Sequence, residues 1–158
     1  MTAQARIQNE MKKMKENHSD ELFAYPLEND FFNWHFTIKG AKNSEFEGGL
    51  YHGNLRLDNN YPSIKPEIQF YAPNGRFAVN TTLCILLNAV QDSKHWESNY
   101  TLINMLEALI YYMTIQESHS GGIADSIEKR KEYAKNSLEF KCEKCGLISE
   151  HIKGNNNK

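Results

Sequence analysis

Cys84 closes a polar, turn-rich stretch and opens an apolar one: NGRFAVNTTLCILLNAV runs from Asn74 to Val90. An ionised thiol is a nucleophile, and acyl transfer onto sulfur needs a thiolate plus hydrogen-bond donors for the developing oxyanion. The carboxamides of Asn74 and Asn80 and the backbone N–H groups near them are of the right type. The same residues also admit plain structural roles. A reduced cysteine packs as a small hydrophobe beside Leu83 and Ile85, Asn74-Gly75 is a turn dipeptide, and Asn80 can tie the loop to itself. A cysteine protease would need a histidine brought to the thiol. His35 and His52 alternate with apolar residues on strands and are expected to be solvated, and His95 falls in a surface loop. A hydrolase is therefore not supported. A second thiol pair, Cys142 and Cys145, forms a CxxC followed by Gly146. A structural zinc site takes four ligands. This motif supplies two and His151 a third, so the sequence calls for no metal, and no βαβ pattern precedes the pair to make it a redox motif.

The elements that would position Cys84 are visible as periodicities. Ile7, Met11 and Met14 recur at helical spacing, which predicts a helix over residues 3–16 on the surface of the domain. ELFAYPL is a short extended piece, restricted by Pro26 to an edge. In FFNWHFTIKG, Phe32, Trp34, Phe36 and Ile38 alternate with Asn33, His35, Thr37 and Lys39, and GLYHGNLRL and EIQFY repeat the pattern. Gly, Asn, Ser and Pro in the connections predict an antiparallel meander with one wet face. TLINMLEALIYYM is apolar on nearly all sides, which predicts a central buried helix capped by Thr101. A last helix runs to about residue 140, with Asp125 and Glu128 as a capping box and Ile127, Ala134 and Leu138 turned inward. The fold class is α+β: a four-stranded antiparallel meander with an N-terminal, a central and a C-terminal helix.

At 158 residues the chain is expected to form one domain, and its net charge of −2 gives no general pull toward nucleic acid or anionic membrane. Three cysteines and no secretory leader suggest a reducing compartment. No apolar run approaches the ~20 residues that span a bilayer, so a soluble chain is expected.

Several stretches together resemble ubiquitin-conjugating enzymes. NWHFTIKG, FEGGLYHGNLRLDNNYPSIKPEIQFYAPNGRF, NTTLC, and HW before TLINMLEALIYYM fall in that family's order and spacing, over about residues 7–140. Tyr61, Pro62 and Pro66, the Gly-Gly strand, and a thiol upstream of Trp96 carry the likeness jointly. Pro73 to Phe77, Asn80 to Cys84, and AKNSLEF resemble the tail-anchored, endoplasmic-reticulum-associated J type. The wider family's His-Pro-Asn tripeptide is absent, and Arg76 stands where its Asn would be, eight residues before Cys84.

The resemblance implies the ubiquitin-conjugating fold, with a catalytic core over residues 1–141 and a partly disordered extension over residues 142–158. It implies that Cys84 takes ubiquitin as a thioester from an activating enzyme and passes it to a protein substrate, another ubiquitin or a ligase, without a cofactor. Asn74, then Asn80, would support the oxyanion, and Ser118, His119 and Ser120 would flank the cleft. Arg6, Lys12 and Lys13 would meet the activating enzyme, while Ser63, Ile64, Trp96, Glu97 and Ser98 would meet a ligase. No nucleic acid and no membrane span are implied for this chain, which would be cytoplasmic, with a tail anchor on the cytosolic face of the endoplasmic reticulum in a longer form. The other reading is an inactive ubiquitin-binding scaffold of the same fold.

Overall fold

Period-two patterning in the strands divides the sheet into two faces. In the structure, a computed structural model that describes residues 2–17, 19–83, 98–115 and 123–150, β1 (Leu22–Leu27), β2 (Asp30–Lys39), β3 (Leu50–Arg56) and β4 (Glu67–Phe70) pair antiparallel in that order. Trp34, Phe36 and Ile38 of β2 and Tyr51 and Leu55 of β3 point to one side and are fully buried. They form the main core with α1 (Ala3–Glu16) and α2 (Leu102–Tyr112). Pro26 sits in the edge strand β1, where its missing N–H breaks no internal ladder.

Each helix starts on a cap. Thr2 accepts from the Ala5 N–H and opens α1, whose Ile7 and Met14 are buried. Thr101 and Asn104 bond reciprocally at the start of α2. That helix buries Leu102, Met105, Leu106, Leu109 and Tyr112 but leaves Tyr111 61% exposed, so it lies on the core with a wet side. The last helix, α3 (Ile127–Asn136), differs more from its sequence reading. Ser126 caps it by accepting from the Lys129 N–H, in place of an Asp125–Glu128 box. Ala134 is inward as expected, whereas Ile127 and Leu138 are exposed. Arg130 takes the inward position one turn before Ala134, and a 3-10 turn over Ser137–Glu139 tightens the chain so that Leu138 rotates outward.

The face expected to be wet is covered. After the 3-10 turn the chain forms a small hairpin, β5 (Lys141–Cys142) and β6 (Gly146–Leu147), which lies over the outer side of β2 and β3. Cys142 and Ile148 pack with Leu50, Phe23 and Phe140, and the Ser137 hydroxyl accepts from the Leu50 N–H at 2.8 Å. Beneath this cover His35, Thr37, His52 and Asn54 are only 1–3% exposed. The sheet is therefore buried on both sides, by helices on one and by the C-terminal segment on the other. Among the described residues no helix is long and apolar enough to cross a membrane.

Candidate functional site

The segment that leads to Cys84 is held along the outer edge of the sheet. The Asn80 N–H donates to the Phe70 carbonyl (2.7 Å) and the Leu83 N–H to the Ile68 carbonyl (2.8 Å). These bonds and the bridge between Phe70 and Val79 bind residues 79–83 to β4, with Leu83 buried and Asn80 exposed. Asn80 has φ 57°, a left-handed conformation that Asn tolerates better than most residues and that turns the chain there. Cys84 itself lies outside the described residues, as do Trp96, Glu97, Ser118, His119, Ser120 and His151.

Upstream, Asn74 is buried and its carboxamide is committed to the backbone. Its Oδ1 accepts from the N–H groups of Arg76 (2.9 Å) and Phe77 (2.7 Å), and its Nδ2 donates to the Ala72 carbonyl (3.0 Å). That is an Asx turn closed at three points. Gly75 follows at φ 83°, and a Cβ there would sit 2.7 Å from Arg130 Cγ. Arg76, in the position of the family's usual Asn, is buried over the rings of Phe77 and Tyr112 and donates from Nε to the Ile115 carbonyl (3.1 Å). The Ile123 N–H donates to the Arg76 carbonyl (2.9 Å). Ile115 and Ile123, which bracket residues 116–122, are thus both fastened to Arg76. Arg130 closes the assembly by donating to the Gly75 carbonyl (3.0 Å) and to Glu45 (2.9 Å).

The surface residues separate into two kinds. Lys12, Lys13, Ser63 and Ser98 are exposed, and Ile64 presents 48% of its surface. Arg6 instead acts as a clamp. Its guanidinium donates to the Ser98 and Tyr100 carbonyls (2.7 and 2.6 Å), pairs with Glu10 (3.4 Å) and covers the Tyr61 ring. Glu10 is buried, accepts from the Leu102 N–H (2.7 Å) and from the Tyr61 hydroxyl, and joins α1 to α2. Arg6 therefore fixes the loop before α2 to the first helix.

On the opposite side of the sheet four side chains converge that the sequence did not connect: His35 of β2, His52 of β3, and Cys142 and Cys145 of the hairpin. His35 Nδ1 lies 3.2 Å from His52 Nε2, 3.6 Å from Cys142 Sγ and 3.4 Å from Cys145 Sγ. Thr37 Oγ1 lies 3.0 Å from His52 Nδ1. The expectation that both histidines are solvated is overturned by the hairpin that covers them. Burial lowers the His35 pKa, with Lys144 adding to the effect. Burial also pushes the Cys145 thiol up to about 11, which makes it no nucleophile at neutral pH. The alternation had already put His35 and His52 on the polar faces of β2 and β3, and the register pairs Thr37 directly with His52; what it did not show was the hairpin over that face.

Comparison with known proteins adds the kinship. A family model described as ubiquitin-conjugating enzyme matches residues 6–143, a span that includes Cys84. The chain is 38% identical over 120 residues to ubiquitin-conjugating enzyme E2 32 of Arabidopsis thaliana, covering 76% of this chain and 38% of that protein. It is 35% identical over 148 residues to ubiquitin-conjugating enzyme E2 J1 of Homo sapiens, covering 93% of this chain and 46% of that protein. With ubiquitin-conjugating enzyme E2 6 of Candida glabrata the identity is 34% over 138 residues, 87% of this chain and 56% of the other. Aligned in this way, the chain spans between about two fifths and just over half of these relatives' lengths. Among solved structures, human ubiquitin-conjugating enzyme E2 G1 superposes with a TM-score of 0.59 over 68% of this chain and 90% of that one, at 19% identity. A structure titled as a novel ubiquitin-conjugating enzyme superposes at 0.67 over 84% and 92%, also at 19% identity. Both share the fold.

Proposed function

Because the chain belongs to the ubiquitin-conjugating enzyme family, we propose that Cys84 accepts the C-terminus of ubiquitin as a thioester from an activating enzyme and transfers it onward. The observation that carries this reading is the pinning of residues 79–83 along β4, which fixes the chain immediately before Cys84. In the first step the Cys84 thiolate attacks the carbonyl of the activating enzyme's ubiquitin thioester, and that enzyme's thiol leaves. A free thiol near its ordinary pKa is a few per cent ionised at neutral pH, so no adjacent base is needed. In the second step an amine, or a ligase thiol, attacks the Cys84 thioester and the Cys84 sulfur departs.

For the tetrahedral intermediate of the second step we favour Asn80 as donor. It is exposed four residues before the nucleophile, whereas the Asn74 carboxamide already serves Ala72, Arg76 and Phe77. Ser118, His119 and Ser120 belong to a stretch whose flanks are both held by Arg76, which supports a place for them beside this cleft. Lys12 and Lys13 are available for the activating enzyme, with Arg6 setting the position of the loop instead of docking. Ser63, Ile64 and Ser98, with Trp96 and Glu97, form the proposed ligase surface. The J-type resemblance supports a role at the cytosolic face of the endoplasmic reticulum, in protein degradation.

The test is incubation with activating enzyme, ATP and ubiquitin, read on a non-reducing gel. Wild type is expected to form a thiol-reducible adduct and Cys84→Ala none. Absence of the wild-type adduct selects the inactive-scaffold reading, and an adduct on Cys84→Ala removes Cys84 as nucleophile. Asn80→Ala is expected to charge normally and to discharge onto free lysine ~100-fold more slowly, the scale of losing one oxyanion donor. Unchanged discharge rejects Asn80.

A further inference from the structure

We propose that His35, His52, Cys142 and Cys145 bind a structural zinc ion that fastens the C-terminal hairpin to the outer face of the sheet. All four ligand atoms lie within 4.8 Å of one another. A tetrahedral ion with bonds of about 2.0–2.1 Å to nitrogen and about 2.3 Å to sulfur sets its ligand atoms about 3.3 Å apart for N and N, and about 3.5–3.6 Å apart for N and S. The distances from His35 Nδ1 are 3.2 Å to His52 Nε2, 3.6 Å to Cys142 Sγ and 3.4 Å to Cys145 Sγ. Three edges of the tetrahedron thus already have the lengths the ion requires.

Hydrogen bonding accounts for only part of this convergence, in which Cys145 also bonds the Tyr25 hydroxyl. An imidazole Nδ1 carries either one proton or one lone pair, yet His35 Nδ1 faces three groups at these distances. A cation at the centre satisfies all four atoms at once. The surroundings complete the fit. Thr37 Oγ1 lies 3.0 Å from His52 Nδ1, placed to take its proton when His52 Nε2 coordinates the ion. Tyr71 packs against both imidazoles and Phe140 against His52, which shields the site.

The donor set names the ion. Two thiolates and two neutral imidazoles in a tetrahedron suit zinc and do not suit magnesium or calcium. Both thiols release their protons to solvent on binding, so the dication and two thiolates form a neutral site, as burial requires. Four protein ligands leave no open position, which makes the role structural. The hairpin needs such a fastening. Each of its strands contributes two paired residues, and isolated hairpins are marginal even when longer. Gly146, at φ 80°, follows directly after Cys145, and both sulfurs reach His35 Nδ1.

The experiment is elemental analysis of the full chain, grown with zinc and purified in reductant without chelator. About one zinc per chain is expected from the four-ligand site, falling to background in Cys142→Ser/Cys145→Ser and unchanged in Cys84→Ser. Replacement by cobalt is expected to give the visible bands of a tetrahedral thiolate complex, absent from the double variant. Because that variant could lose its hairpin for other reasons, hydrogen exchange on wild type with and without chelator provides a second reading. Residues 141–148 are expected to lose protection while β2 and β3 keep theirs. Metal-free wild type with no cobalt spectrum, equal zinc in the double variant, loss of zinc in Cys84→Ser, or exchange untouched by the chelator would each overturn the proposal.

Discussion

Two buried polar clusters flank the sheet, and they differ in how their atoms are matched. In the Asn74–Phe77 turn each polar side-chain atom of Asn74 finds backbone: Oδ1 takes two N–H groups and Nδ2 serves one carbonyl. In the cluster of His35, His52, Cys142 and Cys145 the side chains face one another, and one nitrogen has three neighbours within 3.6 Å. A cluster matched one-to-one with backbone is a device for shaping the chain. A cluster whose ligand-type side chains converge on a common centre has the form of a metal site. Residue type and strand alternation suggested the opposite assignment, with chemistry at Asn74 and solvation at the histidines.

The sharpest way to break this contrast is Asn74→Ala. It leaves the N–H groups of Arg76 and Phe77 buried without their acceptor, at about 1–3 kcal/mol for each. A loss of about 3 kcal/mol in urea unfolding is expected, equal with and without chelator, with discharge of the charged enzyme little affected. Selective loss of discharge at unchanged stability would return Asn74 to catalysis. Gly75→Ala comes next. Its φ of 83° and the 2.7 Å approach to Arg130 Cγ make a loss of about 2 kcal/mol the expectation, from left-handed strain plus displacement of a packed side chain. A neutral result would mean that the turn relaxes freely and is not a rigid frame.

Thr37→Val probes the other cluster at similar volume. It removes the hydroxyl that lies 3.0 Å from His52 Nδ1, and loss of such an outer partner typically weakens metal binding about 10–100-fold. Competition with a chromophoric chelator is expected to show at least a tenfold drop in zinc affinity, with the apoprotein's stability little changed. Equal affinity would mean that Thr37 does not orient the imidazole.

How much of this was legible follows from the range of each interaction. The bounds of α1, the caps at Thr101 and the alternation in β2 and β3 are local, written within a few residues, and the chain folds as they imply. The turn at Asn74-Gly75 was equally local, and the structure adds that its amide oxygen takes two backbone N–H groups and its amide nitrogen gives one bond to the Ala72 carbonyl. What covers the outer face was not legible, because His35 and Cys142 are 107 residues apart, and alternation reports polarity, not what packs against it. A polar strand face reads as wet unless another segment supplies the matching ligands. The inward side of α3 failed for a related reason: burial there goes to Arg130, and its partner Glu45 lies 85 residues away. An apolar count cannot find a buried arginine whose carboxylate comes from a distant loop.

The smallest expected effect compares two carboxylates by their pH slopes. Burial raises the Glu10 pKa above its usual 4.5, outweighing the Leu102 N–H and the charges of Arg6 and Lys13. For Glu45 burial pulls the same way, but its own N–H and Arg130 prevail and the pKa falls. The native state thus binds the Glu10 proton more tightly than the unfolded chain does and the Glu45 proton less tightly. The stabilisation linked to Glu10 is complete below its unfolded pKa and is lost as pH rises through the higher folded value. That linked to Glu45 is present above the unfolded pKa and is lost as pH falls through the lower folded value. Urea midpoints between about pH 3 and 8 should show Glu10→Gln removing a decline with rising pH and Glu45→Gln removing a decline toward acid. If both substitutions change the slope in the same sense, burial does not dominate at Glu10, and its contacts with Arg6, Tyr61 and Leu102 hold an ordinary carboxylate.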